Sequence, residues 1–388
     1  MATFCPDCNE PTNHTIEYLG ALLDTAILPI VTLPGRVFTS SYTNHGSSMV
    51  RLYTWLERLS MGHFLNTYDD HTLLLDQVLW DEAKRRGITM REFRLFGAAK
   101  GIFIATLPHG KVLEFDGVPL PPWRAAWYIN NKPKLVAMLH KQSFPTAKGT
   151  SVRTLAQAQK LFATLSTPLI VKPSIGSASR HTTMHIQTKE KLAAAFVLAK
   201  KLSPFVMIEE ELSGQVHRPT LVNGKLIAVL RRDQPCVWGD GVHTVQGLVE
   251  DENKNPARQG PYFSRIKLDD AATAELAQAG LTVESIPAQG VRVQLHPKIN
   301  WGLGGTTTDV TDEVHPDNKK LFEDVATFLH APLVGIDFII EDIAKSWKDQ
   351  KRCGIIECND MPYFDNHHLP YRGQARDVAG PIWDLVTA

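Results

Sequence analysis

Charge of one sign is missing from this chain of 388 residues: 41 Lys plus Arg face 41 Asp plus Glu, for a formal net charge of zero. A chain with no basic excess is a poor prospect for holding nucleic acid by bulk electrostatics, and a 21% charged fraction is too ordinary for a disordered or acidic-tail protein. Long hydrophobic runs are missing as well. The longest, such as 193–199, fall far short of the roughly 20 residues that a membrane-spanning helix needs, so a soluble protein is expected. The first residues, Met1-Ala-Thr-Phe-Cys-Pro-Asp, hold neither a basic nor an apolar region, and no signal peptide is expected. Cysteine is scarce: five residues without framework spacing fit reduced thiols in a cytoplasm better than disulfides. GxSxG, HExxH and Rossmann patterns are absent, which leaves covalent hydrolase chemistry without support. What is there is a 43% hydrophobic chain, long enough for a sizeable core in two to three units.

Periodicity gives the organisation. In residues 1–128 the stretches 22–31 and 37–39 read as β-rich, 49–61 and 73–86 as helices, and 88–96, 101–106 and 112–115 as strands, which predicts a small α/β unit. Closely spaced prolines at Pro119, Pro121 and Pro122 continue neither a helix nor a central strand and mark a linker. Beyond it, 134–142, 155–165 and 189–202 read as helices, and 169–173 and 205–209 as strands. Asn223-Gly224 between apolar runs is the signature of a type I′ hairpin. The stretch 251–289 is polar and partly helical, and 300–308, dense in Gly and Thr, is expected not to be a packed element. A helix over 318–329, strands over 334–341 and 354–359 and a helix over 377–386 complete the reading.

The sharpest chemical signal lies in the two late strands, Gly335-Ile-Asp337-Phe-Ile-Ile and Gly354-Ile-Ile-Glu357-Cys-Asn359. Residues two apart in a strand share a face, so Glu357 and Asn359 project together, and antiparallel pairing would bring Asp337 beside them as a hard-oxygen set of the kind magnesium takes. Taken alone, the two acids equally suit a solvated face. Ile336, Phe338, Ile355 and Ile356 make these strands central, where an unpaired carboxylate is costly. Lys172 leaves a strand into the small-residue loop Ser174-Ile-Gly176-Ser177-Ala-Ser179, an arrangement that can cap phosphate or be a plain turn. Glu209-Glu-Glu-Leu212 is either a hinge offering backbone groups to a flat base or a solvated edge. Arg231-Arg232 either neutralises a transferring phosphoryl group or pairs with surface acids. Cys5-Pro-Asp-Cys8 with His14 has the spacing of half a zinc knuckle, but no second CxxC or His pair follows, and a metal is not the favoured reading. His367-His368 are expected to contact substrate or serve structure rather than pair on a metal.

The order of these pieces resembles the ATP-grasp ligases, most of all the ATP-grasp half of cyanophycin synthetase and the ligase half of the bifunctional glutathione-synthesising enzymes. Three stretches carry the resemblance: 231–244 (Arg231-Arg-Asp-Gln-Pro-Cys-Val-Trp-Gly-Asp-Gly241-Val-His-Thr), 300–318 (Asn300-Trp-Gly-Leu-Gly-Gly305-Thr and onward) and Ile356-Glu-Cys-Asn359. The ending His367-His-Leu-Pro-Tyr371-Arg-Gly is more like the glutathione-type ligases. The resemblance covers about 129–388. It implies an α+β ATP-grasp fold, two subdomains clasping a nucleotide, preceded by a small N-terminal α/β domain over 1–128, with the ATP-grasp domain over 129–388 and its lid over about 150–210. It further implies a ligase that phosphorylates a carboxylate with ATP and lets an amine displace the phosphate. Under it Asp337, Glu357 and Asn359 hold Mg²⁺, or Mn²⁺ in its place; Lys134, Lys172, Ser174, Gly176, Ser177 and Ser179 contact phosphates; Glu209 and Leu212 present backbone to adenine. Arg231, Arg232 and Asn300 serve the reacting groups, and Gly304, Gly305, Thr306, His367, His368 and Arg372 the substrate. The expected partners are a small carboxylate and a small amine, with a homodimer as the candidate assembly and neither nucleic acid nor membrane. The sequence departs from the family at Val136, where a second lysine is usual, at Val216, where an acid for the ribose is usual, and in a loop without a run of glycines. The chain also stops where cyanophycin synthetase continues, so alternating polymerisation is not expected. A nucleotide sensor that keeps the fold without catalysis, and a kinase-like release of a stable acyl phosphate, are the competing readings.

Overall fold

The computed structural model describes residues 3–5, 8, 10–23, 48–120, 129, 132–174 and 180–387. The stretch 37–39, most of 22–31, Pro121, Pro122 and the loop residues Gly176, Ser177 and Ser179 lie outside the described residues; Leu22 and Leu23 are helical rather than β. A hairpin of β1 (Thr3–Cys5) and β2 (Glu10–Thr12) leads into a helical stretch, 14–23. The N-terminal unit follows: β3 (Gly62–Leu65), β4 (Thr89–Leu95), β5 (Ala98–Thr106) and β6 (Val112–Asp116) form an antiparallel sheet in that order, flanked by the helices Ser48–Arg58 and Leu74–Arg85.

A second sheet has the order β7-β10-β8-β9, from β7 (Gly149–Val152), β8 (Leu169–Pro173), β9 (Thr183–Ile186) and β10 (Val206–Glu210). The helices Leu155–Phe162 and Lys189–Lys200 cover one face of it, burying Leu169, Val171, Ile186, Leu192, Phe196 and Ile208. Thr154 and Gln157 exchange side-chain and backbone hydrogen bonds at the start of the first of these helices, which satisfies donors that helix geometry leaves orphaned. The segment entering this sheet first touches the next one: Thr146 bridges Ile355, and three residues later Gly149 pairs with Glu209. Only glycine fits there, since a Cβ would stand 2.2 Å from the Ile208 carbonyl oxygen.

The central sheet is antiparallel throughout, in the order β15-β12-β11-β16-β17, from β11 (Gln215–Val222), β12 (Lys225–Asp233), β15 (Thr306–Asp309), β16 (Leu333–Ile340) and β17 (Gly354–Asn359). The turn between β11 and β12 has φ of 50° at Asn223 and 73° at Gly224, the paired positive values that a type I′ hairpin requires. Between β12 and β15 the chain makes a satellite of β13 (Cys236–Trp238) and β14 (Arg292–Gln294) with the helices Val245–Glu252 and Asp270–Gln278 around Val237, Val249, Leu276 and Val293. The Gly/Thr-rich stretch departs from its expectation. Thr306–Asp309 is a strand at the edge of the central sheet with Thr306 and Thr307 buried, because its β-branched residues suit the pleat and β12 offers an open edge.

Alternate residues face opposite sides, so the two faces of the central sheet differ in chemistry. One carries Leu221, Val229, Val334, Ile336, Phe338 and Ile340, buried against Leu321, Phe322 and Val325 of the helix Pro316–Leu329. At one end of the other, Val222, Ala228 and Leu333 join the core of the N-terminal unit around Leu79, Trp80, Phe103 and Phe115, and with it Ile382 and Trp383 of the helix Ala379–Thr387. Trp383 Nε1 donates to the Leu79 carbonyl over 3.0 Å. Beside that core, burial and then the nearby acids Glu92, Asp116 and Asp365 push Asp76 up to about 7. A raised carboxyl contributes stability that is whole below its unfolded value near 4 and is lost as pH rises through 7. Asp76→Asn is therefore expected to raise Tm by several degrees at pH 8 and hardly at all near pH 4; a uniform gain at both would dismiss the assignment.

Candidate active site

Further along that second face the register gathers charge. Asp337 on β16 stands opposite Glu357 on β17, and Asn359 stands opposite Gly335 one pleat away, so the three oxygen-bearing side chains share a face as the strand period dictates. Asp337 is buried, and two guanidiniums meet it from the other side. Arg218 of β11 binds both its oxygens, Nε to Oδ1 and Nη2 to Oδ2, the latter at 2.8 Å; Arg232 Nη1 lies 3.5 Å from Oδ2. Burial alone would depress Arg218, but Asp337 outweighs it and holds the guanidinium above its ordinary value; at Arg232 burial wins and the shift is downward. Both remain cations at any physiological pH, since the ordinary value lies above 12.

These groups border a cavity of about 150 Å³ lined by Arg218, Leu230, Arg232, Trp301, Thr307, Asn359, Met361, Tyr363 and Asn366. Two of its residues hold buried donors, Asn359 Nδ2 and Trp301 Nε1, that have no hydrogen-bond partner among the described residues. A buried donor without a partner costs about 1–3 kcal/mol, so donors of this kind beside two guanidiniums suit a ligand rich in oxygen. The carboxylate pair and the amide oxygen of Asn359 are a donor set that fits magnesium. Asp337 would bind through the lone pairs that Arg218 leaves, since a carboxylate offers about four.

The structure sorts the residues picked from sequence. Arg231 and Arg232 alternate, and Arg231 turns to the opposite face, where its Nε is 3.1 Å from both oxygens of Asp233; only Arg232 meets the acids. Thr306 likewise faces away, and Thr307, opposite Arg232, is the threonine that lines the cavity. Asn300 spends its side chain capping its own turn, accepting from Gly302 N at 2.7 Å, while its neighbour Trp301 reaches the cavity. Gly304 and Gly305 close that turn: Gly305 N donates to the Asn300 carbonyl, and the Gly304 carbonyl accepts from Arg258 at 3.1 Å. His367 is buried against Thr220, Nε2 to Oγ1 at 2.7 Å, and burial drives it down to about 3, so it is neutral. His368 Nε2 accepts from Val378 N and Ala379 N at 3.1 and 3.3 Å, which makes it a cap on the helix Ala379–Thr387. Arg372 lies over the Tyr371 ring and 3.6 Å from Glu252.

On the second sheet, Lys172 Nζ pairs with Glu209 Oε1 at 2.5 Å, across a face that Val171 and Ile208 do not share. Glu209 lies in β10 between two partner strands, while Leu212 is beyond the strand's end. Ser174 is buried with its hydroxyl 2.7 Å from Ser151. Lys134 is exposed on the helix Lys132–Lys141, which packs against β17. Sequence reasoning passed over Arg218. The signal available was its strand period with Val216 and Thr220, but only the β11–β16 register places it opposite Asp337.

No family model matches the chain. Among curated proteins it is 31% identical over 253 residues to the cyanophycin synthetase of a Nostoc species, spanning 64% of this chain and 28% of that protein. It is 27% identical over 323 residues to the glutathione biosynthesis bifunctional protein GshAB of Clostridium perfringens, spanning 81% of this chain and 41% of that protein. Among solved structures, a bifunctional glutathione synthetase from Pasteurella multocida superposes with a TM-score of 0.62 at 25% identity, over 81% of this chain and 44% of that one. The chain thus spans less than half the length of these relatives.

Proposed function

We propose that this chain, which has the ATP-grasp fold and is related to the cyanophycin synthetases and GshAB proteins, is an ATP-dependent carboxylate–amine ligase that forms an amide through an acyl phosphate. The observation that carries the reading is the facing pair Asp337 and Glu357 with Asn359, set beside two part-buried guanidiniums and a cavity with orphaned donors. In this reading Arg232 and Arg218 bind and orient the phosphoryl oxygens of the mixed anhydride, and Asn359 Nδ2 or Trp301 Nε1 donates to the acyl oxygen. Lys172 exchanges Glu209 for a nucleotide phosphate, and the chain past Leu212 offers main-chain groups to the base. Mg²⁺ held by Asp337, Glu357 and Asn359 Oδ1 would neutralise charge on the β- and γ-phosphates. The substrates are a small amino-acid-like or peptide acid and a small amine.

The test is ADP release by the purified chain with ATP and Mg²⁺ over a matrix of carboxylates and amines, with hydroxylamine present to trap the acyl phosphate as a hydroxamate. ADP and hydroxamate should appear together for the right acid. Silence across a broad matrix, with ATP still bound, would favour a sensor. In the same assay Lys172→Ala should weaken ATP binding about tenfold or more, the worth of a charge-assisted hydrogen bond of about 1.5–3 kcal/mol; unchanged affinity would take Lys172 out of the nucleotide site.

A further inference from the structure

Far in sequence from that site, Cys5, Cys8, His14 and His181 bring four ligand atoms within 4.8 Å of one another. They come from three places: the β1–β2 hairpin, the first residue of the helical stretch 14–23, and the connection between β8 and β9. Cys8 Sγ is 3.3 Å from His181 Nε2 and 3.7 Å from His14 Nε2, and Cys5 Sγ is 3.5 Å from His181 Nε2. Ligands at the usual zinc distances, about 2.3 Å for sulfur and 2.0–2.1 Å for nitrogen, define a tetrahedron with edges of about 3.3–3.8 Å. Those three separations match such edges, and all four atoms lie within 4.8 Å of one another. The His181 ring is also held in a ligating orientation, because its Nδ1 donates to the Leu198 carbonyl at 2.8 Å, which fixes the tautomer and turns the Nε2 lone pair into the cluster. Its backbone φ is 50°, an uncommon value that the surrounding fold must hold. Cys5, Cys8 and His181 are 7%, 6% and 1% exposed, so the set is closed to solvent on most sides, as structural sites are.

We propose that these four residues bind a structural Zn²⁺ that clasps the N-terminal hairpin to the β7-β10-β8-β9 sheet. Two thiolates and two neutral imidazoles balance the dication, and binding releases the two thiol protons, so the buried site carries no net charge. Sulfur with imidazole in a tetrahedral set selects zinc over the hard cation proposed for the carboxylates. A second tether lies next to it: Arg180 Nη2 meets Glu17 Oε2 at 2.9 Å, docking the helical stretch beside His181. The hairpin Cys5-Pro-Asp-Cys8 thus finds its missing half-site 173 residues on from Cys8, where no sequence spacing rule looks.

The test uses the whole chain purified under reducing conditions with zinc supplied and no affinity tag of histidines. Elemental analysis should find a single tightly held zinc per chain, and cobalt in its place should give the intense visible bands of tetrahedral coordination with a thiolate charge-transfer band. Cys8→Ser and His14→Gln should each lose the metal and lower Tm by at least about 5 °C, whereas Cys353→Ser should keep it. If Cys8→Ser fails to fold, His14→Gln and chelator titration of the unaltered chain carry the same readout. A metal-free chain under these conditions, cobalt spectra of six-coordinate oxygen ligation, or equal metal loss on Cys353→Ser would each overturn the proposal.

Discussion

Glu357→Gln is expected to cut ATP-dependent ADP release at least about a thousandfold while leaving Tm within a few degrees. The size follows from the role proposed for the carboxylate: losing one oxygen donor and one negative charge from a set that neutralises phosphate costs the transition state several kcal/mol. The small effect on stability follows from position. Glu357 is only partly buried, and in the variant Asp337 keeps its ion pairs with Arg218 and Arg232. Gln keeps the shape and the β17 pairing. Retained turnover in this variant would sink the metal assignment without touching the fold, and a parallel fall in Tm would move Glu357 from chemistry to structure.

Arg218→Met is expected to behave in the opposite way, with a stability loss of about 3 kcal/mol at neutral pH as well as lost activity. Removing one partner from a buried ion pair strands the other, and that penalty of about 3–5 kcal/mol exceeds what the intact pair contributes. Arg232, 3.5 Å from the same carboxylate, keeps the loss at the lower end. The pH dependence identifies the cause: in the variant Asp337 can shed its charge by taking up a proton, so the deficit should shrink as pH falls toward 4. The double variant Arg218→Met/Asp337→Leu should recover most of the stability and none of the turnover, measured by denaturant unfolding and by ADP release. A deficit constant with pH, or a double variant as unstable as the single, would mean that Arg218 acts through packing alone.

Much of this arrangement was legible in the sequence for a definite reason. The period of two in a strand puts Glu357 and Asn359 on one face, the apolar flanks of Asp337 make its strand central, and both are local facts. The Asn223-Gly224 hairpin was legible in the same way, from the one turn chemistry that tolerates two positive φ values, whereas the α+β fold came from the resemblance to the ATP-grasp ligases. What was hidden depends on register or on distant closure. Neither Arg231 nor Arg232 announces its face until β12 is paired with β11, and a slip of one residue would exchange their roles. Arg218 needed the pairing of β11 with β16, and Thr307 that of β15 with β12. The strand at Thr306–Asp309 was masked by glycines that belong to the preceding turn. His181 lies 176 residues from Cys5, so the cluster exists only in the folded chain.

The docking of Trp383 on Leu79 has a bearing on how this protein is made. The two residues are 304 positions apart, yet they belong to one hydrophobic core. A ribosome moving at 5–20 residues per second delivers Trp383 roughly 15–60 s after Leu79 has emerged. Through that interval the apolar surfaces of Trp80, Phe103 and Phe115 have no Trp383 or Ile382 to cover them, so the unit that carries Leu79 is finished long after its own residues have been made. Chaperone binding during translation should therefore concentrate on the nascent N-terminal unit and fall away when the residues of the helix Ala379–Thr387 clear the exit tunnel.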